Sequence, residues 1–458
     1  MTITTRLAHF FAPLSYEDLP KEVIAKTKEQ VLDTLGVAIG AASEPNVQGS
    51  IEALKRYDSS TDCVIWGTDR RASAMTASLI NGMMAMSLGL DDVHLSAKMH
   101  VGAVMLPVAL ALGEMHRISG KQLIAALAAG YETGIRIGKG IGASSHRLKG
   151  WHATSTVGVF GAALCAAKII GLDAERTVHA LGIAGSQSGG SWAFQQDGAT
   201  SIKFHPGRAA EGGIKAALLA LGGMTGARAV LEADDGGLYK MTSDEFNADT
   251  VVDQLGQRYD LMDVVRKPYP CCRSMHMSLD GILDLRREYR LRPEEIVKID
   301  VSTYEIGVKQ CGMVQQPGNV SEAGLSIPYG IAVALYDGEV GIPQFTEERI
   351  RDRRVLELAA KVQVSASETY TRAYPANWGS ELNLHLQDGR ILNRVVWNGK
   401  GSRDDPWTTD ELAVRFRRFA DDKYSSARVD DMLDSILHLE KMKDISPFVN
   451  QLMPGCTQ

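Results

Sequence analysis

The sequence predicts a mainly α-helical protein carrying a smaller α+β domain, and three observations lead there. Between Leu19 and about Gly226 the chain is rich in Ala, Gly, Leu and Met, with apolar residues three and four apart, the spacing that lines one face of a helix. After Lys267 short segments alternate apolar and polar residues instead, as half-buried strands do. From Thr408 onward helical spacing returns, at Leu412, Val414 and Phe416 and then Val429, Leu433, Ile436 and Leu437. The expected division is a large all-helical domain from residues 1–262 and 405–458, with an α+β domain from 263–404. A chain of 458 residues exceeds what one hydrophobic core usually organises, so two domains agree with its length.

The elements follow in order. Val23, Ile24, Val31, Leu32, Leu35 and Ile39 predict a helix over Pro20–Ala42, with Ser15-x-x-Asp18 resembling a capping box one turn early. Further helices are expected at Ala74–Leu88, Met105–His116, Lys121–Ile137, Thr154–Ile170, Ala174–Ser186 and Arg208–Leu221. Several are apolar nearly all round, as helices buried within a bundle are, and their glycines and alanines allow close backbone approach. In the second domain, Val297–Tyr304 and Glu381–Leu386 read as strands, and Asp388-Gly389 marks a hairpin turn before Ile391–Trp397. Helices are expected between them at Ser274–Tyr289, Ser326–Tyr336 and Glu347–Lys361.

Composition narrows the function. Forty-nine Lys plus Arg stand against fifty-five Asp plus Glu, giving a net charge of −6 without a basic block, so no nucleic-acid partner is expected. No uninterrupted apolar run is long enough to span a membrane, and no apolar run follows a basic start at the amino terminus. Six irregularly spaced cysteines suit a reducing compartment rather than a disulfide framework. The expectation is a cytoplasmic protein with a small-molecule substrate.

Five clusters place polar or titratable residues in apolar or glycine-rich surroundings. Asp91, Asp92, His94 and His100 share one loop, where they can move protons, although their spacing is not that of a metal site; alone, the loop also reads as a helix-terminal acid pair with exposed imidazoles. In Lys149-Gly-Trp-His152-Ala-Thr-Ser-Thr156, residues 154–156 are good helix caps, whereas His152, beside the positive end of a helix, would be held neutral and fit to act as a base, and reads equally as a packed core histidine. Gly198–Arg208 offers Lys203, His205 and Arg208 at a helix start, a plausible carboxylate or phosphate site without phosphate-loop spacing. Arg266–His276 holds Lys267, Tyr269, Arg273 and His276 on a proline-stiffened backbone, with Cys271 and Cys272 assigned to packing. Ser326-Ile-Pro-Tyr329 contributes one phenol, which from the residues alone reads more readily as a buried hydrogen-bonded tyrosine. Together the clusters supply lysines, arginines and histidines without a nucleotide loop or a Gly-x-Ser-x-Gly elbow. That set suits a polycarboxylate, whose carboxylates bind cations while a proton moves beside one of them.

These residues also resemble the MmgE/PrpD family, which includes 2-methylcitrate dehydratase, cis-aconitate decarboxylase and iminodisuccinate epimerase. The resemblance runs through Val31–Gly40, Asn81-Gly, Asp91-Asp92, Lys149–Gly158, Ser186–Gly190, Lys203–Ala210, Lys267–Cys271 with His276, and Ser326–Tyr329. It implies a large helical domain, an α+β lid domain, a homodimer, no required cofactor and no metal, with the active site in the cleft between domains. It implies His100, His152, Lys203 and His276 as catalytic residues. Lys267 and Tyr329 are implied as substrate-binding residues, joined in our reading by Asp91, Asp92, His94, Tyr269 and Arg273. His152 and Lys203 are the leading pair for proton transfer and carboxylate binding, in either order. One departure stands out. Where dehydratase and decarboxylase members usually read Asp-x-Asp/Asn-Asp-Thr, this chain has Gly89-Leu-Asp-Asp-Val93, losing an acid and a hydroxyl, which weighs against both of those activities. The expected function is a cofactor-free lyase on a small di- or tricarboxylate, by proton abstraction beside a carboxylate and elimination. The alternatives are an epimerase of a dicarboxylate and a non-catalytic carboxylate-binding member of the family.

Overall fold

In the computed structural model, which describes residues 1–455, the first half folds into packed helices where the apolar spacing calls for them: Lys21–Gly40, Ala74–Ser87, Gly102–His116, Gly120–Gly140, Gly158–Ile169, Ala174–Gly185 and Phe204–Leu221. Gly102–His116 and Gly158–Ile169 are buried on nearly every side. Close packing depends on glycine where Gly207 crosses the Ala74–Ser87 helix: a Cβ there would lie 2.1 Å from the Leu79 carbonyl oxygen, closer than any side chain can sit. Ser15 and Asp18 do form a capping box, but it closes the short turn Tyr16–Asp18, and Pro20 starts the helix after it.

The second domain is built on a four-stranded sheet. Ile296–Thr303 lies centrally, with Val362–Ala366 parallel on one side and Gly379–Leu386 antiparallel on the other, and Ile391–Trp397 pairs outside Gly379–Leu386. Helices Arg273–Tyr289 and Ile327–Asp337 are associated with it. The continuous helix expected over Glu347–Lys361 is instead a short 3-10 turn, Arg349–Arg351, and a helix, Arg353–Ala359. Asp352 makes the break: its side chain accepts the Arg354 N–H at 2.9 Å and caps a new helix. The strand Val362–Ala366 was not anticipated. Its outer positions are exposed, so the apolar alternation that reveals a half-buried strand is weak there.

The tail returns to the helical body as helices Thr409–Ala420 and Ser426–Leu437. One apolar core draws on residues 3–264 and again on 412–452, a second on 271–392. A third, smaller cluster joins Val93, Leu95 and Val265 to Met277, Tyr304 and Trp378, where the two bodies meet. The protein is therefore mainly α with a smaller α+β part. None of its described helices is long and apolar enough to cross a membrane.

Candidate active site

Two loops from different parts of the chain meet through a two-residue ribbon, in which Val93 and His94 pair with Val265 and Val264. This brings Asp91 beside Lys267. The Lys267 ammonium donates to Asp91 at 3.1 Å, and His100 Nδ1 lies 2.6 Å from the other Asp91 oxygen. Burial pushes the Asp91 carboxyl up, but the charges of His100 and Lys267 outweigh it and hold that carboxyl at about 2. Arg415, from the returning tail, fixes both loops by donating to the carbonyls of Leu90 at 2.7 Å and Lys267 at 2.9 Å, while pairing with Asp33 at 3.2 Å.

The neighbouring Asp92 has the opposite character. Its side chain accepts the Gly102 N–H at 2.8 Å and the Tyr131 hydroxyl at 3.2 Å. Burial, reinforced by the charges of Asp33 and Asp91, raises it to about 7 although the Gly102 N–H acts the other way. Two adjacent aspartates are thus separated into a firm anion and a group that holds its proton near neutrality.

His152 stands at the start of the short helix Ala153–Thr156. Its Nδ1 lies 2.7 Å from Nδ1 of His205, so one ring donates and the other accepts. Burial, and then the positive charge that His205, His100 and Arg147 can carry, keep His152 well below the usual imidazole range. Burial lowers His205 to about 4. Residues 154–156, expected as caps, lie inside that helix, and its two threonines bond to neighbouring histidines. Thr154 Oγ1 accepts the His100 backbone N–H at 3.1 Å and lies 3.2 Å from His152 Nε2, and Thr156 Oγ1 contacts His146 Nε2 at 2.8 Å.

These groups face a cavity of about 720 Å³ lined by residues from both bodies, including Asp91, Lys98, His100, His152, Lys203, Lys267 and Arg273, with Trp192, Phe194 and Trp378 as aromatic walls. The rings of His100 and His152 are 6.0 Å apart. Lys203, at the end of a 3-10 turn, sits 3.6 Å from Glu44. Arg273 is buried, donating to the Lys400 carbonyl at 2.9 Å and to His276 Nδ1 at 3.1 Å.

Five predicted site residues lie off the cavity wall. Asp92 is below His100, whose Nδ1 also lies 3.0 Å from the Asp92 carbonyl oxygen. His94 accepts the Ala97 N–H at 3.1 Å and is lowered to about 4 by burial. His276 has both ring nitrogens engaged, Nδ1 by Arg273 and Nε2 at 3.3 Å from the Cys271 carbonyl oxygen. Tyr269 donates to Asp280 at 2.6 Å, and Tyr329 donates to the Gln344 carbonyl inside the second core. Among the described residues, no group of three or more His, Cys, Asp or Glu is placed to hold a metal ion.

Reading the sequence missed Lys98, the pairing of His205 with His152, and the role of Arg415. Cys271 is buried as expected and Cys272 only partly so, and both line the cavity rather than serving packing alone. Lys98 stands in the loop between His94 and His100, and nothing in the local sequence separates it from an ordinary solvated lysine.

The MmgE/PrpD N-terminal domain model matches residues 5–250 and the C-terminal domain model residues 269–440. The chain belongs to the MmgE/PrpD family. Among MmgE/PrpD relatives, it is 28% identical over 470 residues to a protein named cis-aconitate decarboxylase from Aspergillus terreus, covering 98% of this chain and 96% of that one. It is 29% identical to the cis-aconitate decarboxylase of Homo sapiens, covering 97% and 93%, and 26% to that of Mus musculus, covering 99% and 94%. The Gly89 departure from the usual family reading has a local cause. Gly89 has φ +65°, and a Cβ there would lie 3.2 Å from the Pro270 carbonyl carbon, so the left-handed turn and the close Lys267–Cys271 loop both favour glycine.

Proposed function

We propose that this MmgE/PrpD protein is a cofactor-free lyase of the decarboxylase type, acting on cis-aconitate or a closely similar tricarboxylate. The observation that carries the reading is His100, aligned by the buried Asp91 carboxylate, facing neutral His152 across a cavity that also presents Lys203 and Lys267. The names of the relatives support decarboxylation over dehydration, and the Gly89 and Val93 departures remain the feature that weighs against it.

In the proposed reaction CO₂ leaves a CH₂–carboxylate carbon. The electron pair of the broken C–C bond forms a terminal alkene, and the pair of the original alkene takes a proton at its CH carbon. Such a step needs a proton donor over one alkene carbon and cations on the carboxylates that stay. Asp91 engages Nδ1 of His100, leaving Nε2 on the opposite edge of the ring as the donor, and the nearby carboxylate balances the positive charge of a protonated ring. Lys203 and Lys267 bind the retained carboxylates, and the His152–His205 pair supplies a neutral hydrogen bond. An epimerase would need a second donor on the opposite face. His276, the histidine that the second domain brings, has both nitrogens committed elsewhere.

The test is proton NMR of cis-aconitate in D₂O with purified enzyme. Two geminal alkene signals, one deuterium per product and stoichiometric CO₂ are expected. Exchange or isomer interconversion without CO₂ would favour the epimerase.

A further inference from the structure

We propose that Lys98 forms a separate carboxylate subsite at the end of the cavity bounded by Gln310 and Trp378. This deepens, and rests on, the reading of the cavity as a tricarboxylate site.

The argument begins with charge. Lys267 is matched by Asp91 at 3.1 Å, and Lys203 has Glu44 at 3.6 Å. Lys98 lines the same cavity, yet among the described residues no carboxylate lies within 4 Å of its ammonium. Its neighbours are the Gln310 side-chain oxygen at 3.3 Å and the Tyr374 ring, 5.2 Å to its centre. The other groups facing it are Arg147, Cys272 and Cys311. Arg147 repels it and itself stacks on Trp192 at 3.9 Å, with Nε unpartnered. A half-buried ammonium beside a guanidinium, with no carboxylate of the protein's own within 4 Å and only the Cys272 thiol, lowered to about 5 chiefly by its hydrogen bond with Cys311, as a nearby acid, is suited to an anionic ligand.

The backbone fixes where this ammonium sits. Lys98 has φ +50° at the tip of the turn that pairs His94 with Met99, a region where glycine or asparagine is the easier residue, and the turn holds the side chain at the cavity wall.

Burial, and after it the Arg147 charge, lower the Lys98 ammonium to about 7. With the cavity empty at pH 8 it is mostly neutral, and a carboxylate arriving beside it restores the proton. Binding should therefore take up hydrogen ions.

The experiment is isothermal titration of the full-length protein with tricarballylate, a tricarboxylate lacking the reactive alkene, at pH 8 in buffers of different ionisation enthalpy. Wild type should bind with uptake of about one proton per site. Lys98→Met should lose tenfold or more in affinity, together with the uptake. Lys98→Arg should keep affinity within about threefold but show no uptake, because a guanidinium stays charged. Unchanged binding by Lys98→Met, or proton uptake persisting in Lys98→Arg, would overturn the proposal. Should Lys98→Met not fold, the Lys98→Arg uptake decides alone. Wild type that binds tricarballylate through Lys98 but leaves cis-aconitate unchanged would refute the decarboxylase reading and support the subsite.

Discussion

Replacing Asp91 by asparagine removes one charge from the buried Lys267–Asp91–His100 array, and the structure fixes what should follow. The charges of His100 and Lys267 hold the carboxyl at about 2 in the fold against 3.8 ordinarily, a difference on the order of 2 kcal/mol at neutral pH. Because the folded value is the lower one, that stability is fully present above pH 4 and is lost as the pH falls through 2. The asparagine variant lacks it, so its deficit against wild type is largest above pH 4 and shrinks as the pH falls through 2. It also leaves the Lys267 ammonium, 4% exposed, without its counter-ion, so the total loss should reach about 3–5 kcal/mol. The assay is urea denaturation at pH 7.5 of wild type, Asp91→Asn, Lys267→Met and the double variant. The double variant should recover much of the loss, since no charge is then left unpaired, with a coupling of about 1–3 kcal/mol. A loss below about 1 kcal/mol for Asp91→Asn, or strict additivity in the cycle, would refute the buried-pair argument.

Other outcomes follow from the same geometry. Asp92, raised to about 7, works against the fold as the pH rises from 4 to 7, so Asp92→Asn should match or exceed wild-type stability at pH 8 and gain less at pH 5, read from thermal melts. Arg415→Met should cost about 3–5 kcal/mol, because it leaves buried Asp33 only the Arg266 guanidinium at 4.0 Å and releases both loops, and kcat should fall with it; urea titration and steady-state kinetics check this. His152→Ala should lower kcat by about 10²-fold or more without a matching loss of stability. Tyr329→Phe removes a hydroxyl bonded in the second core and should cost about 1 kcal/mol while leaving kcat/KM within twofold of wild type in a parallel assay.

Much of this architecture is legible in the residues themselves. Val31 to Ile39 and Val159 to Ala167 repeat with helical period, and Asp388-Gly389 turns the hairpin where expected. The parallel strand Val362–Ala366 escapes notice because its pairing with Ile296–Thr303 is a tertiary fact, and its own side chains are largely exposed. At the site, residue types point to the chemistry, but the arrangement depends on contacts distant in sequence. Asp91 and Lys267 are 176 positions apart, and His152 and His205 are 53 apart. Nothing local distinguishes Asp91 from Asp92. Only burial next to a lysine in one case, and next to a backbone N–H and a phenol in the other, gives them opposite ionisation.

The central claim is that the His100–His152 cavity removes CO₂ from a tricarboxylate. Proton NMR of cis-aconitate in D₂O, with wild type and His100→Asn side by side, tests it most directly. The account predicts a geminal alkene pair carrying one solvent deuterium, CO₂ in equal amount, and a rate about 10²-fold lower for the variant. Turnover of the substrate without CO₂ release, or equal rates for the two proteins, would contradict it.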